Sequence, residues 1–263
     1  MANPLTPDQL VYGLVAAGDP QISPDGQRVL STLSTPNRAS NSVIRQLWLR
    51  RIDGSEPRQL TSAGKSNAGG RWSPDGGRIA YVAKRGEPEE SAIVLREDDG
   101  AERELVHSAQ PVSGLAWSPD GRSLAYTAAF DPAADGNGAK NPRSRIRVTR
   151  RIDYKQDNRA EGYLGDVRQQ VFVVDVAGGT ARMVTREPVD HHHPQWSPDG
   201  RKIAVQVPNR NAMCSQLGIV DVATGRVDLV GPADGVVGAW AWSPDGDRIF
   251  FAGEPERTWQ LDL

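Results

Sequence analysis

GRWSPDGGRIAYVA, residues 70–83, carries at its centre a Trp-Ser-Pro-Asp-Gly block that recurs along the chain. The block returns at Trp117, Trp196 and Trp242, and a first copy reads ISPDG from Ile22. Its serines stand at 23, 73, 118, 197 and 243, spaced by 50, 45, 79 and 46 residues. A period near 45 is the mark of propeller blades, small antiparallel sheets whose apolar faces need a neighbouring blade to cover them.

Each unit reads alike after its block. Proline presets φ at the second turn position, Asp and Gly finish the turn, and an alternating strand follows: RIAYVA (78–83), SLAYTA (123–128), KIAVQV (202–207), RIFFAG (248–253). A further strand comes next, as QLWLRRID (46–53), AIVLRED (92–98), QVFVVDV (170–176) and QLGIVDV (216–222). A short last strand ends near threonine or valine, as in RQLT (58–61), ARMVT (181–185) and VDLV (227–230). The predicted fold class is all-β, a β-propeller of four-stranded antiparallel blades with about five blades present over residues 19–263. In this reading Trp72, Trp117, Trp196 and Trp242 end the inner strands and wedge the blades together. Asp25, Asp75, Asp120, Asp199 and Asp245 finish the turns, so the repeat is structural and is assigned no chemistry.

Residues 1–18 read as a helix and lead-in. In TPDQLVYGLVAAG (6–18), Thr6 with Gln9 makes a capping box, Pro7 sits at the first helical position and Gly18 offers a stop. Leu10 and Leu14 give the helix an apolar face to dock on the blades. The 79-residue spacing is one period plus an insertion at 131–166, between two strands of the third blade. Leu263 falls twenty residues past Ser243, before the outermost strand that completes the other units. The expectation is a piece of something longer, whose open blade edges favour pairing with another copy of the chain.

Composition excludes several partners. With 31 basic and 33 acidic residues, the net charge of −2 gives no field to recruit nucleic acid or an anionic membrane. Cys214 is the single cysteine, so no internal disulfide forms. The start MANPLTPDQL has neither a basic nor an apolar leader region, and no apolar run is long enough to span a bilayer. The expected location is the cytoplasm, and no cofactor is predicted.

The motifs with chemical promise are few. GKSNAG (64–69) fails as a nucleophile elbow because Ala68 replaces the second glycine, and as a phosphate loop because Gln59 stands where its first glycine belongs. It reads as an ordinary loop between blades. Asp190-His191-His192-His193 is the most metal-like stretch. Adjacent side chains on an extended chain alternate, so His191 and His193 are the pair that could share an ion, and with no second cluster to complete the set the stretch reads as a loop bordering the channel and no metal is predicted. DPAADGNG (131–138) lacks the acids of a calcium loop at Ala133 and Pro142. RSRIRVTRRIDYKQDNR (143–159) holds seven cations against Asp153 and Asp157. It reads either as a solvated hairpin or as a site where forked guanidinium groups capture an anion such as a peptide carboxylate.

The blades with their W-S-P-D-G block, the opening TPDQLVYGLVAAGDPQISPDGQRV and the stretch RRIDYKQDNRAEGYLGDVRQQVFVVDVAGGTARMVT (150–185) together resemble the N-terminal propeller of the prolyl oligopeptidase family, in its acylaminoacyl-peptidase-like branch. The resemblance covers nearly the whole chain. It implies an unclosed seven-bladed propeller that gates an α/β-hydrolase domain, admitting short peptides and excluding folded proteins. No catalytic residue carries over onto this sequence, so the serine chemistry would belong to a C-terminal hydrolase domain of a longer parent. Arg150 and Arg151, at the base of the insertion hairpin, are the expected binders of a substrate carboxylate. The rival is a non-enzymatic TolB-like or WD-repeat-like scaffold, against which stand the missing export signal, the unclosed ring and the Arg-Ile-Asp-Tyr hairpin. A lyase or glycosidase working at the propeller's own channel ranks last, because the inner strands supply only histidines.

Overall fold

The computed structural model describes residues 6–86, 90–132, 167–209 and 214–254. Helix α1 (Pro7–Tyr12) starts at the capping box: the Gln9 amide donates to Thr6 Oγ1 at 3.2 Å and the Thr6 amide to Gln9 Oε1 at 2.9 Å. It stops well before Gly18, correcting the longer helix expected from the sequence. The Gly13 amide caps onto the Gln9 carbonyl at 2.9 Å, and from Ala16 the chain is taken into strand β1 (Ala16–Ile22), paired with β2 (Arg28–Asn37). Glycine costs about 1 kcal/mol inside a helix, and sheet pairing satisfies the backbone beyond it. The docked apolar face is corrected too. No residue of α1 is buried, and Leu10, Val11, Leu14 and Val15 are each more than half exposed. An exposed Arg38–Asp8 ion pair at 2.8 Å, with the Arg38 guanidinium 5.4 Å from the Tyr12 ring, tethers the helix to the loop after β2.

Each repeat folds as an antiparallel sheet with strands in chain order. The first holds β1, β2, β3 (Ser42–Arg51) and β4 (Arg58–Gln59), and the second β5 (Ser66–Trp72), β6 (Arg78–Arg85), β7 (Glu90–Glu97) and β8 (Glu102–Ser108). A single parallel bridge, Arg45 to Ser66, joins these two. The third holds β9 (Val112–Trp117), β10 (Ser123–Phe130), β11 (Arg168–Asp175) and β12 (Arg182–Met183). The fourth holds β13 (His192–Trp196), β14 (Lys202–Asn209), β15 (Cys214–Asp221) and β16 (Val227–Val230). Among the described residues the fifth has two strands, β17 (Val236–Trp242) and β18 (Ile249–Glu254). The architecture is all-β and built of propeller blades. The long spacing in the repeat falls between β10 and β11, and residues 133–166 of the insertion lie outside the described residues.

The turn block explains its own recurrence. Ser23, Ser73, Ser118, Ser197 and Ser243 are buried, and each hydroxyl accepts the amide five residues on at 2.9 Å. The same hydroxyls donate to Asp25, Asp75, Asp120, Asp199 and Asp245, whose carboxylates also accept the amide two residues beyond. The glycine that follows takes φ between 67° and 79° in all five turns, a left-handed conformation suited to glycine. Serine and amide hydrogens hold all five carboxyls below their ordinary range.

Two compact units make up the chain, residues 1–124 with 174–181 and residues 125–173 with 182–263. The core of the first lies between its first two sheets, where Leu30, Leu47, Leu49 and Leu60 meet Ile79, Tyr81 and Val94 with Trp72 packed alongside. In the second, Ile203, Val205, Leu217, Val220 and Val237 are buried, and the Tyr126 and Phe172 rings stack at 5.4 Å. Middle strands such as β6 and β7 are buried over most of their length, which is why they read as apolar runs more than as clean alternations.

Candidate functional site

The repeat tryptophans and their neighbours act between blades. Trp72 Nε1 donates to the Gln21 carbonyl at 3.3 Å, Trp117 Nε1 to the Arg71 carbonyl at 3.0 Å and Trp242 Nε1 to the Gln195 carbonyl at 3.2 Å. Each acceptor is the residue before the end of the preceding first strand, so the bonds repeat with the blades. The Arg28 guanidinium covers the Trp72 ring at 4.8 Å and Arg78 covers Trp117 at 5.2 Å. At the outer strands Arg103 and Arg182 reach the carbonyls of Val176 and Val222.

The first strands carry a feature that repeat reading did not single out. Asp19, Gly69, Gly114 and His193 each stand three residues before the end of their strand and adopt φ of 51°, 67°, 65° and 52°. The register shifts at this place in β1, β5 and β13, so each makes a bulge. Gly69 in β5 and Gly114 at the matching place in β9 are glycines. The other two hold side chains in a conformation that costs an L-residue about 1 kcal/mol. Asp19 recovers this by accepting from the Arg71 guanidinium at 2.6 Å and from the Gln21 side-chain Nε2 at 3.1 Å. The sequence signal was available: aligned on the block, Asp19 and His193 fall where Gly69 and Gly114 stand.

The bulge also separates the histidines. His191 is fully buried and His193 is exposed, with the register shift between His192 and Gln195 interrupting the alternation that would have put both on one face. His191 occupies the place of Asn67 in the second blade. Asn67 is fully bonded, donating to Gln46 Oε1 at 2.9 Å and Ala63 O at 2.8 Å and accepting from Arg85 at 2.8 Å. Among the described residues neither ring nitrogen of His191 has a hydrogen-bond partner, and the Glu187 carboxylate stops 3.6 Å from Nε2. Burial pushes the pKa of His191 and of His192 below the ordinary imidazole value. Trp240 Nε1 and Gln195 Oε1 are also shut from solvent without a partner among the described residues, and the Trp240 ring meets His193 edge-on at 6.4 Å.

GKSNAG places Asn67 in a buried polar network. Thr61 donates to Gln46 Oε1 at 2.7 Å while accepting the Leu47 amide at 2.9 Å, and Thr185 repeats this with Gln170 at 2.6 Å and Val171 at 2.9 Å. Arg150 and Arg151 lie outside the described residues. Among the described residues no three His, Cys, Asp or Glu side chains are grouped to hold a metal ion, and no helix is long and apolar enough to cross a membrane.

No protein-family model matches the chain. It is 26% identical over 196 residues to the uncharacterized peptidase YuxL of Bacillus subtilis, covering 73% of this chain and 29% of that protein. Acylaminoacyl peptidase from Pyrococcus horikoshii superposes with a TM-score of 0.66 at 16% identity, over 96% of this chain and 38% of that one. Oligogalacturonate lyase from Vibrio parahaemolyticus superposes with a TM-score of 0.61 at 16% identity, over 88% of this chain and 57% of that one. The resemblance to the prolyl oligopeptidase family's N-terminal propeller thus extends from motifs to an aligned peptidase and a shared fold. The chain spans less than a third of the length of YuxL. The lyase shows that the same blades also serve other chemistry.

Proposed function

We propose that this chain is the substrate-gating propeller portion of a cytoplasmic serine-type peptidase of the acylaminoacyl-peptidase or oligopeptidase kind. It would admit short peptides to a hydrolase domain carried by a longer parent. The observation that carries the reading is the alignment to a peptidase over 73% of the chain, with the Trp-Ser-Pro-Asp-Gly blades in place. The exposed apolar group Leu10 and Val11 on α1 with Leu14 and Val15 just after it supports it, because such a group suits burial against another domain. A ring of blades passes an extended peptide but not a folded domain, and keeps water and bulky substrates from a site beneath it.

Arg150 and Arg151 would hold the substrate carboxylate through forked hydrogen bonds. Alanine at each position in the parent should raise KM for peptides with a free C-terminus and spare amidated ones, and equal effects on both would remove that assignment. The function itself is tested by the intact mass of the native gene product after treatment with a fluorophosphonate probe. One adduct on a species of well over twice 28.5 kDa is expected. An unlabelled native product of 28.5 kDa would favour the non-enzymatic scaffold instead.

A further inference from the structure

His193 raises a question that Asp19 answers for itself. Both hold left-handed backbone at equivalent bulges, but Asp19 is paired to Arg71 while the His193 ring makes no hydrogen bond among the described residues. Glycine serves the same place at Gly69 and Gly114, so the fold alone does not ask for a histidine there. Beside it, Trp240 replaces the Pro20, Gly70, Leu115 and Pro194 found at the equivalent place in the other first strands. Its indole N–H and the Gln195 Oε1 are a donor on β17 and an acceptor on β13 that have no partner among the described residues. Buried groups left in this state are uncommon, and each one asks for an explanation.

We propose that His193, Gln195 and Trp240 form a subsite for the main chain of a short peptide. One residue of an extended peptide presents its N–H donor and its carbonyl acceptor along the same edge, which suits the Gln195 acceptor and the Trp240 donor. An anion would serve the indole but oppose the amide oxygen, and a cation would do the reverse. Entry needs the His193 ring to move. That ring is exposed, and exposed side chains change rotamer in picoseconds to nanoseconds. His193 and half-buried His192, 6.2 Å apart between ring centres, supply flat surface beside the bonded unit. The proposal rests on the reading of this chain as a peptidase propeller and names where in it the peptide is held.

The test is titration of the 263-residue chain with N-acetyl-Gly-Gly-Phe-amide, an uncharged probe, followed by amide and indole N–H resonances. The Trp240 indole signal, identified by its loss in Trp240→Phe, should move together with the backbone amides of His193 and Gln195. His193→Gly should keep or raise the unfolding midpoint, since glycine suits φ of 52°, yet weaken binding by about threefold or more. Trp240→Phe should weaken it by roughly two- to tenfold. Peptide-induced shifts confined to other residues, or unchanged affinity in His193→Gly, would overturn the subsite and leave the peptide-gate reading standing. Absence of any shift up to about 10 mM would overturn the subsite alone, because a gate that passes peptides need not retain them and is decided by the fluorophosphonate labelling.

Discussion

The indole N–H of Trp117 donates to the Arg71 carbonyl at 3.0 Å, so the residue that ends one first strand is fixed to the backbone of the strand before it. With Arg78 on its ring at 5.2 Å, Trp117 takes part in packing, a hydrogen bond and a cation–π contact between two blades. Trp117→Phe keeps most of the ring and deletes the donor. The loss should be about 1–2 kcal/mol, from one hydrogen bond and a weaker cation–π contact. Urea unfolding measures it, and an unchanged midpoint would show that the bond contributes nothing.

The five turn aspartates predict acid sensitivity. Their folded-state pKa values lie below the unfolded value, so their contribution is complete above the unfolded pKa of about 4 and is lost as pH falls through the folded values. Stability should therefore decline below about pH 4. Ser73→Ala with Ser118→Ala removes the leading cause for Asp75 and Asp120, and should flatten that decline while lowering stability at neutral pH. Parallel pH profiles for wild type and variant would refute the attribution.

Thr61 and Thr185 make the same two bonds in different blades, to a buried glutamine and to the amide that follows it. Valine at either position keeps the shape and strands that amide. Each substitution should cost about 1–3 kcal/mol, the penalty for an unsatisfied buried donor. Comparable losses in the two variants are expected from chemical denaturation, and a negligible loss in either would mean that water or a shifted backbone replaces the hydroxyl.

How far the fold could be read follows from where the information lies. Ser-Pro-Asp-Gly specifies its turn locally, through a hydroxyl, a carboxylate and a left-handed glycine within six residues, so strand ends such as Trp72, Trp117 and Trp196 were legible. The end of α1 was not, because Ala16–Ile22 becomes a strand through pairing with Arg28–Asn37, a partner that local propensity does not see. The bulges at Asp19 and His193 were half legible: the repeat alignment sets them beside glycines, but only the backbone angle shows what those glycines do. His191 and His193 were separated by that same bulge, which strict alternation cannot anticipate. Trp240 gave no motif signal because what sets it apart is an indole N–H without a partner among the described residues, which only the fold shows.

Leu10 and Leu14 provide a test that depends on what surrounds the chain. Both are 57% exposed here, so replacing them with serine should change the stability of this 263-residue chain by no more than about 0.5 kcal/mol. If α1 and the residues just after it are buried against a hydrolase domain in a longer parent, the same pair of substitutions should cost that protein about 3–6 kcal/mol, at about 1.5–3 kcal/mol for each buried leucine. It should also loosen the contact between the domains, visible as faster proteolysis at the domain boundary. Equal and negligible effects in both proteins would show that the apolar group faces solvent in each, and would remove α1 from the docking surface.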